Sequence, residues 1–161
     1  MAGARITIDV NTSPVLDALN ELLRRTGDLE PAFEKIGEYL LKSHDDRWRR
    51  EEAPDGSKWA ALSPATKALK AKNADKILVL EGDLRGSLVY QTSHHSLFFG
   101  TNKVYGAVHQ FGAEQGEFGR TQRGGPIPWG DIPARPFLGL SDEDEMEIAE
   151  IVRGYLANSF D

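Results

Sequence analysis

Cysteine is absent from this chain of 161 residues. That removes disulfide frameworks, thiol nucleophiles and thiolate zinc sites together, and it fits synthesis in a reducing cytoplasm. Also missing is any apolar run long enough for a signal peptide or a membrane span. The N-terminus passes from Met1-Ala2-Gly3-Ala4-Arg5 straight into an alternating segment, so a soluble, unprocessed chain with no membrane partner is expected. Positive charge is scarce: the formal net charge is −6 and the pI is near 5.3. General DNA binding needs clustered Lys and Arg to displace phosphate counterions. Weak DNA affinity, no sequence-specific nucleic-acid contact and protein partners are the expectations.

The motifs of common chemistries are missing as well. The four histidines, His44, His94, His95 and His109, fall in no metal-binding spacing. The glycines spell neither a phosphate-binding loop nor a dinucleotide fingerprint. No serine sits in a nucleophile elbow. Asp45-Asp46 beside His44 is a charge cluster on a helix, not an acid/base pair. The run Asp142 to Glu147 lacks the glycine and alternating oxygen ligands of a calcium loop. No catalytic residue, metal or cofactor is assigned. A rival reading, a small metal-dependent hydrolase, would have to use His109 with Asp83 or the His94-His95 pair.

What is present reads as one α+β domain, a small antiparallel sheet packed with several helices. Arg5 to Val10 alternates Ile6, Ile8 and Val10 with polar residues, the period of a half-buried strand. Ser13-Pro14 opens a helix with Val15, Leu16, Leu19, Leu22 and Leu23, ending near Gly27. Asp28 is placed to cap a second, longer helix near 28–52, where Leu29, Phe33, Ile36, Leu40, His44 and Trp48 recur at spacings of three or four. Arg47, Arg49 and Arg50 suit its C-terminal end.

Ala53 to Leu62 reads as a loop carrying an exposed-looking anchor, Trp59, and Ser63-Pro64 starts a short helix to Lys72. Glu81 to Leu88 turns into strand Leu88-Val89-Tyr90, with His94-His95 at the tip before Leu97-Phe98-Phe99. A helical turn over 104–111 precedes a flexible glycine-rich arm or long hairpin tip at about 112–130, a candidate interface carrying Arg120 and Arg123. Ile132 to Leu138 is extended by its prolines. Ser141 then caps a C-terminal helix near 141–157, with Asp144 in the capping-box position. Met146, Ala149, Val152 and Leu156 form its apolar stripe, beside Ile148, Ile151 and Tyr155. Residues 141–161 hold seven acids against Arg153 alone, read as a solvated helix face or as an acidic docking surface.

Four segments, in order, carry a family resemblance. Pro54-Asp55-Gly56-Ser57-Lys58-Trp59-Ala60-Ala61-Leu62-Ser63-Pro64-Ala65-Thr66 fits the text D-G-x-x-W-x-x-L-S-x-x-T. Ile77-Leu78-Val79-Leu80-Glu81-Gly82-Asp83-Leu84-Arg85-Gly86-Ser87-Leu88 fits L-x-x-x-G-x-L-x-x-S. Tyr105-Gly106-Ala107-Val108-His109-Gln110-Phe111-Gly112 resembles Y-A-x-x-H-Q-F-G, and Ile132-Pro133-Ala134-Arg135-Pro136-Phe137-Leu138-Gly139-Leu140 resembles P-A-R-P-F-L. Together they resemble the virion-morphogenesis, or tail-completion, family of Mu-like and related contractile-tailed phages. Glu81 stands where the family often has threonine, and Gly106 replaces its usual alanine.

The resemblance implies a structural role in finishing the tail or joining it to the head, with no catalytic residues to carry over. It implies an α+β subunit that works as a ring. Implied partners are copies of itself, a hexamer at maturity with a monomer before assembly, and tail-tube and neck or connector proteins. The implied location is the tail or head–tail neck, with host cytoplasm during assembly. A transient capsid assembly factor is the alternative. The residues singled out for structure or interface are Trp59, Tyr105, His109, Phe111, Arg120, Arg123, Arg135 and Phe137. Trp59 is read as a core lid or an interface anchor, His109 as a hydrogen-bonded structural histidine, and Arg135 as a fork for carboxylate, carbonyl or a neighbouring subunit.

Overall fold

The computed structural model describes residues 13–158. The alternating segment 6–10 lies outside them. Within them the order is α1 (Ser13–Thr26), α2 (Glu30–Arg50), α3 (Pro64–Leu69), a single 3-10 turn (Arg85–Ser87), β1 (Leu88–Ser93), β2 (Ser96–Thr101), α4 (Gly106–Phe111) and α5 (Asp142–Asn158). This is an α+β fold built on α2 as a spine.

Helix α2 starts two residues later than its periodicity suggests. Leu29 holds the cap position, while the Asp28 side chain accepts a hydrogen bond from the Glu30 amide at 2.9 Å. The helix stops because Glu51 turns left-handed, with φ 54°. Phe33, Ile36 and Leu40 face Val15, Ala18 and Leu22 of α1 and Ile148, Ala149 and Val152 of α5 in one core. Each large aliphatic or aromatic side chain removed from water there contributes about 2 kcal/mol. At the far end Trp48 leaves this core and enters a second one.

β1 and β2 pair antiparallel, from Leu88 opposite Thr101 to Ser93 opposite Ser96. His94 and His95 make the turn between them. Two strands alone are marginal in water, and α2 packs on both. The approach is close at Gly37, where an added Cβ would stand 2.5 Å from the Tyr90 ring. Only glycine lets the helix sit that near the sheet. On the sheet's other face Val89 and Phe98 remain exposed.

α5 begins with a reciprocal cap. The Asp144 amide donates to Ser141 Oγ at 3.1 Å, and the Ser141 amide donates to Asp144 Oδ2 at 2.8 Å, the capping-box geometry. Its inward face is Asp144, Ile148, Ala149 and Val152. The expected stripe misplaces Met146, which is exposed. Relative to Val152, Met146 lies about 120° around the helix, and the buried polar Asp144 takes the inward position instead. α3 is also shorter than expected: its last residue is Leu69, and Lys70 leaves the helix in an extended conformation.

Candidate assembly surface

Trp59 does not stand out from its loop. It is buried, edge-on to Trp48 at 5.4 Å between ring centres, and its indole N–H donates to the Pro136 carbonyl at 2.7 Å. Phe137 meets Trp48 from another side at 5.1 Å. With Ala53, Ile77, Leu84 and Leu138 these residues form the second core. Members of three of the four motif segments fill it, and the fourth segment clamps it from outside.

That clamp comes from α4. Gln110 Oε1 accepts hydrogen bonds from the Phe137 and Leu138 amides, each at 3.0 Å, and its Nε2 donates to the Leu138 carbonyl at 3.0 Å. One side-chain amide thus does what a neighbouring strand would do for this extended segment. Arg135 continues the seam. Its amide donates to the His109 carbonyl at 2.7 Å, and its guanidinium donates to the carbonyls of Ala60 and Ala61 at 2.7 and 3.1 Å. The fork is therefore occupied by the loop that carries Trp59.

A second polar cluster ties α2 to α5. Asp144, fully buried, takes hydrogen bonds from Tyr39 Oη, Ser43 Oγ and Arg47 Nη1. Arg47 also donates to the Gly139 carbonyl at 2.7 Å and approaches His44 Nε2 at 3.1 Å. Burial pushes the Asp144 carboxyl up, but the Ser141 amide, Ser43 and Arg47 outweigh it and hold it below the usual carboxylate range. Burial, with the Arg47 charge, pushes His44 down to about 4. Asp144, His44 and Arg47 are all buried. The cluster locks two helices together.

The remaining histidines are spread over the molecule. His109 is half-buried against Tyr105, 6.2 Å between ring centres, but its Nδ1 is buried without a hydrogen-bond partner, so it packs against the ring and is not the hydrogen-bonded histidine expected. Burial followed by the Arg135 charge lowers its pKa. His94 lies at the β-turn, where its Nδ1 is 2.9 Å from Asp28 Oδ1, and that hydrogen bond raises its pKa. Glu30 stands near the same ring, so Asp28, Glu30 and His94 bring possible ligand atoms within 4.8 Å of one another. Asp28 already caps the first turn of α2, and a helix N-terminus disfavours a cation. The arrangement reads as a hydrogen bond between His94 and Asp28 that pins the turn and becomes an ion pair when His94 is protonated.

The open surface lies beside α4. Gly112 ends that helix with φ +78°, and a Cβ there would come within 2.7 Å of the Ile132 carbonyl oxygen. From Ala113, paired with Ile132 in both directions at 2.9 and 2.7 Å, the chain runs out and back. Rungs from Phe118 to Ile127 and from Thr121 to Gly125 carry the hairpin to its tip. Arg120 bonds the Gly124 carbonyl at 2.8 Å, and Arg123 is exposed. Between hairpin and helix runs a groove of about 550 Å³, lined by Val104, Tyr105, Val108, Phe111 and Phe118. Phe111 is 68% exposed, Val104 66% and Phe118 53%. Trp129 projects from the hairpin, 77% exposed. Contiguous exposed apolar side chains of this kind mark contact surfaces.

Of the eight residues singled out from sequence, Trp59, Arg135 and Phe137 are interior and His109 borders them. Tyr105 and Phe111 share the groove, and Arg120 and Arg123 sit at the hairpin tip. Sequence reasoning missed Phe118 and Trp129 as groove and hairpin residues, since they lie in a stretch without periodicity. It also missed the Arg47–Asp144 pair. The clue was the spacing of Tyr39, Ser43 and Arg47, four residues apart on one face of α2.

The pattern of the phage virion morphogenesis family matches residues 10–157. Among similar proteins, the putative capsid assembly protein G of Escherichia phage Mu is 33% identical over 118 residues, which cover 71% of this chain and 70% of that protein. The Mu-like prophage FluMu G protein 2 of Haemophilus influenzae is 36% identical over 92 residues, 57% of this chain and 59% of the relative. The FluMu G protein 1 of the same organism is 29% identical over 127 residues, 76% of each. No solved structure matches. With nearly its whole described length inside the family pattern, and its four motif segments accounted for as one core and its clamp, the chain belongs to the phage virion morphogenesis family.

Proposed function

We propose that this chain is a non-enzymatic assembly subunit that completes the tail or joins it to the head, working as a ring of copies through protein contacts. The observation that carries the reading is the aromatic groove. Buried histidine, arginine and aspartate are consumed in holding helices together, whereas Phe111, Phe118, Val104 and Trp129 stand exposed on a frame braced by Gln110 and Arg135. A rigid frame presenting aromatic anchors is what a protein interface needs. The tail-tube or neck proteins are its proposed occupants.

The absence of an excess of positive charge suits such a place, because a passage that must release DNA gains nothing from gripping its phosphates. One specific observation favours a second reading, a transient capsid assembly factor: the name of the Mu relative, a putative capsid assembly protein. Electron microscopy of a phage with this gene disrupted separates the two. Full heads beside unjoined tails are the expected result. Aberrant empty heads would overturn the tail-joining role in favour of the capsid one.

A further inference from the structure

Helix α5 has a second face that its core packing does not use. Glu143, Met146, Glu147 and Glu150 fall at i, i+3, i+4 and i+7, a single stripe opposite Ile148, Ala149 and Val152. All four are exposed, Met146 to 64%. The helix dipole accounts for acids in the first turn, Asp142, Glu143 and Glu145, but its influence fades before Glu147 and Glu150. Nor does it account for a methionine left in water among them.

The opposite arrangement occurs on α3 and the loop after it. Leu69 is 86% exposed and stands between Lys67 and Lys72, with Lys76 further on, all exposed. Asp75 is the one acid between residues 67 and 76. The loop is held in shape by Lys70, whose ammonium donates to the carbonyls of Asn73, Lys76 and Val79 at 2.6, 2.6 and 2.8 Å. One surface thus sets Glu143 and Glu147 on the same stripe as the exposed Met146, with Glu150 paired to Arg153, and the other sets Lys67 and Lys76 in the segment of the exposed Leu69, with Lys72 paired to Glu81.

We propose that these two surfaces are the two halves of one contact: the α5 stripe of one copy seats on the α3 surface of the next. The inference rests on the reading of the chain as a ring-forming subunit and names the surfaces that make the ring. Charge complementarity selects the occupant. A two-fold pairing of α5 stripes would set carboxylates against carboxylates, which costs several-fold to many-fold in affinity. Pairing unlike surfaces is head-to-tail, and a head-to-tail contact closes into a ring when its rotation divides the full turn, running on as a filament otherwise. The apolar contact between Met146 and Leu69 is small, so each junction is weak alone and sensitive to salt. Closure of the ring supplies the rest.

The test uses the full chain and charge reversal at exposed positions. One variant carries Glu143→Lys and Glu147→Lys, the other Lys67→Glu and Lys76→Glu. Sedimentation velocity and crosslinking follow association at low and high salt, with circular dichroism confirming the fold. The wild type is expected to associate at low salt and dissociate at high salt. Each variant alone should associate about tenfold more weakly or worse. An equimolar mixture should recover association, because each reversed surface then meets its opposite on the other variant. Should a reversed chain fail to fold, Glu143→Gln with Glu147→Gln takes its place and should weaken association and flatten its salt dependence.

A wild type that stays monomeric at its highest soluble concentration, reversal without effect, or a mixture without recovery overturns the proposal. Complementation of a gene-disrupted phage tells the two levels apart. If chains that cannot associate still restore particle production, the head-to-tail contact is wrong and the assembly role stands. If disruption of the gene leaves particle production untouched, the assembly role itself fails.

Discussion

Arg47 brings a permanent charge into the space where α2 meets α5, and its neighbours make that position tolerable. Asp144 neutralises it, while Ser43, His44 and the Gly139 carbonyl engage its two terminal nitrogens, and Nε is buried without a hydrogen-bond partner. His44 has little choice of tautomer. Its Nδ1 lies 2.8 Å from the Leu40 carbonyl and so carries the proton, which leaves Nε2 to accept from Arg47. The ring must stay neutral for both bonds to hold. A group of folded pKa about 4 against an ordinary value near 6.5 binds its proton in the unfolded chain first. Stability is therefore complete above about pH 6.5 and falls as pH drops towards 4, by on the order of 3 kcal/mol. Asp144 adds to this at lower pH. Its depressed carboxyl favours the fold above the ordinary aspartate range and loses that contribution as pH falls further. Urea midpoints measured at pH 7, 5 and 4 should decline in that order, and replacing His44 with a neutral residue should remove most of the decline between pH 7 and 5. Equal midpoints at pH 7 and 5 in the unchanged protein would contradict the buried neutral histidine.

Elements in this fold divide into those that local pattern creates and those that distant hydrogen bonds create. α1, α2 and α5 repeat apolar residues at helical spacing and carry Pro14, Pro31 and the Ser141–Asp144 box, respectively, at their starts. Their existence and approximate limits were legible in the sequence. The strand pair was legible for the same reason, with its turn marked by Ser93-His94-His95-Ser96. The Met146 error shows where periodicity stops helping: hydrophobicity alone did not say that Asp144, a charged residue, would take the inward position. The segment from Ile132 to Leu138 has no periodicity to read. Its path is set by Gln110, 28 residues before Leu138 in sequence, and by Arg135 reaching back to Ala60. Gln110→Ala would leave the Phe137 and Leu138 amides and the Leu138 carbonyl without these bonds inside the protein. The expected loss is about 2–4 kcal/mol, read as a lower denaturant midpoint. A midpoint unchanged from the wild type would mean that α4 does not brace the second core.

At the scale of the whole molecule the chain is a braced frame: His44, Arg47 and Asp144 are turned inward with Trp48, Trp59 and Phe137, His94 and His95 lie exposed at the strand turn, and Phe111, Phe118 and Trp129 are turned out. The resemblance of the four segments identified the family from sequence, and the structure accounts for those segments as core and clamp. The groove was only half legible. Tyr105 and Phe111 belong to a motif and drew attention, whereas Phe118 acquires meaning only when the hairpin brings it beside α4, and Trp129 projects from the same hairpin. Net negative charge hid a division that composition averages away, with lysines gathered around Leu69 and acids around Met146. The claim on which the rest depends is that function resides in the outward aromatics. Phe111→Asp combined with Phe118→Ser changes two exposed side chains and should leave the melting transition near that of the wild type. Supplied in trans to a phage lacking this gene, that variant is expected to fold and yet fail to restore joined, infectious particles, while His109→Asn restores them. Full restoration by the groove variant, with loss of function confined to His109→Asn in a folded chain, would contradict an assembly role carried by the groove.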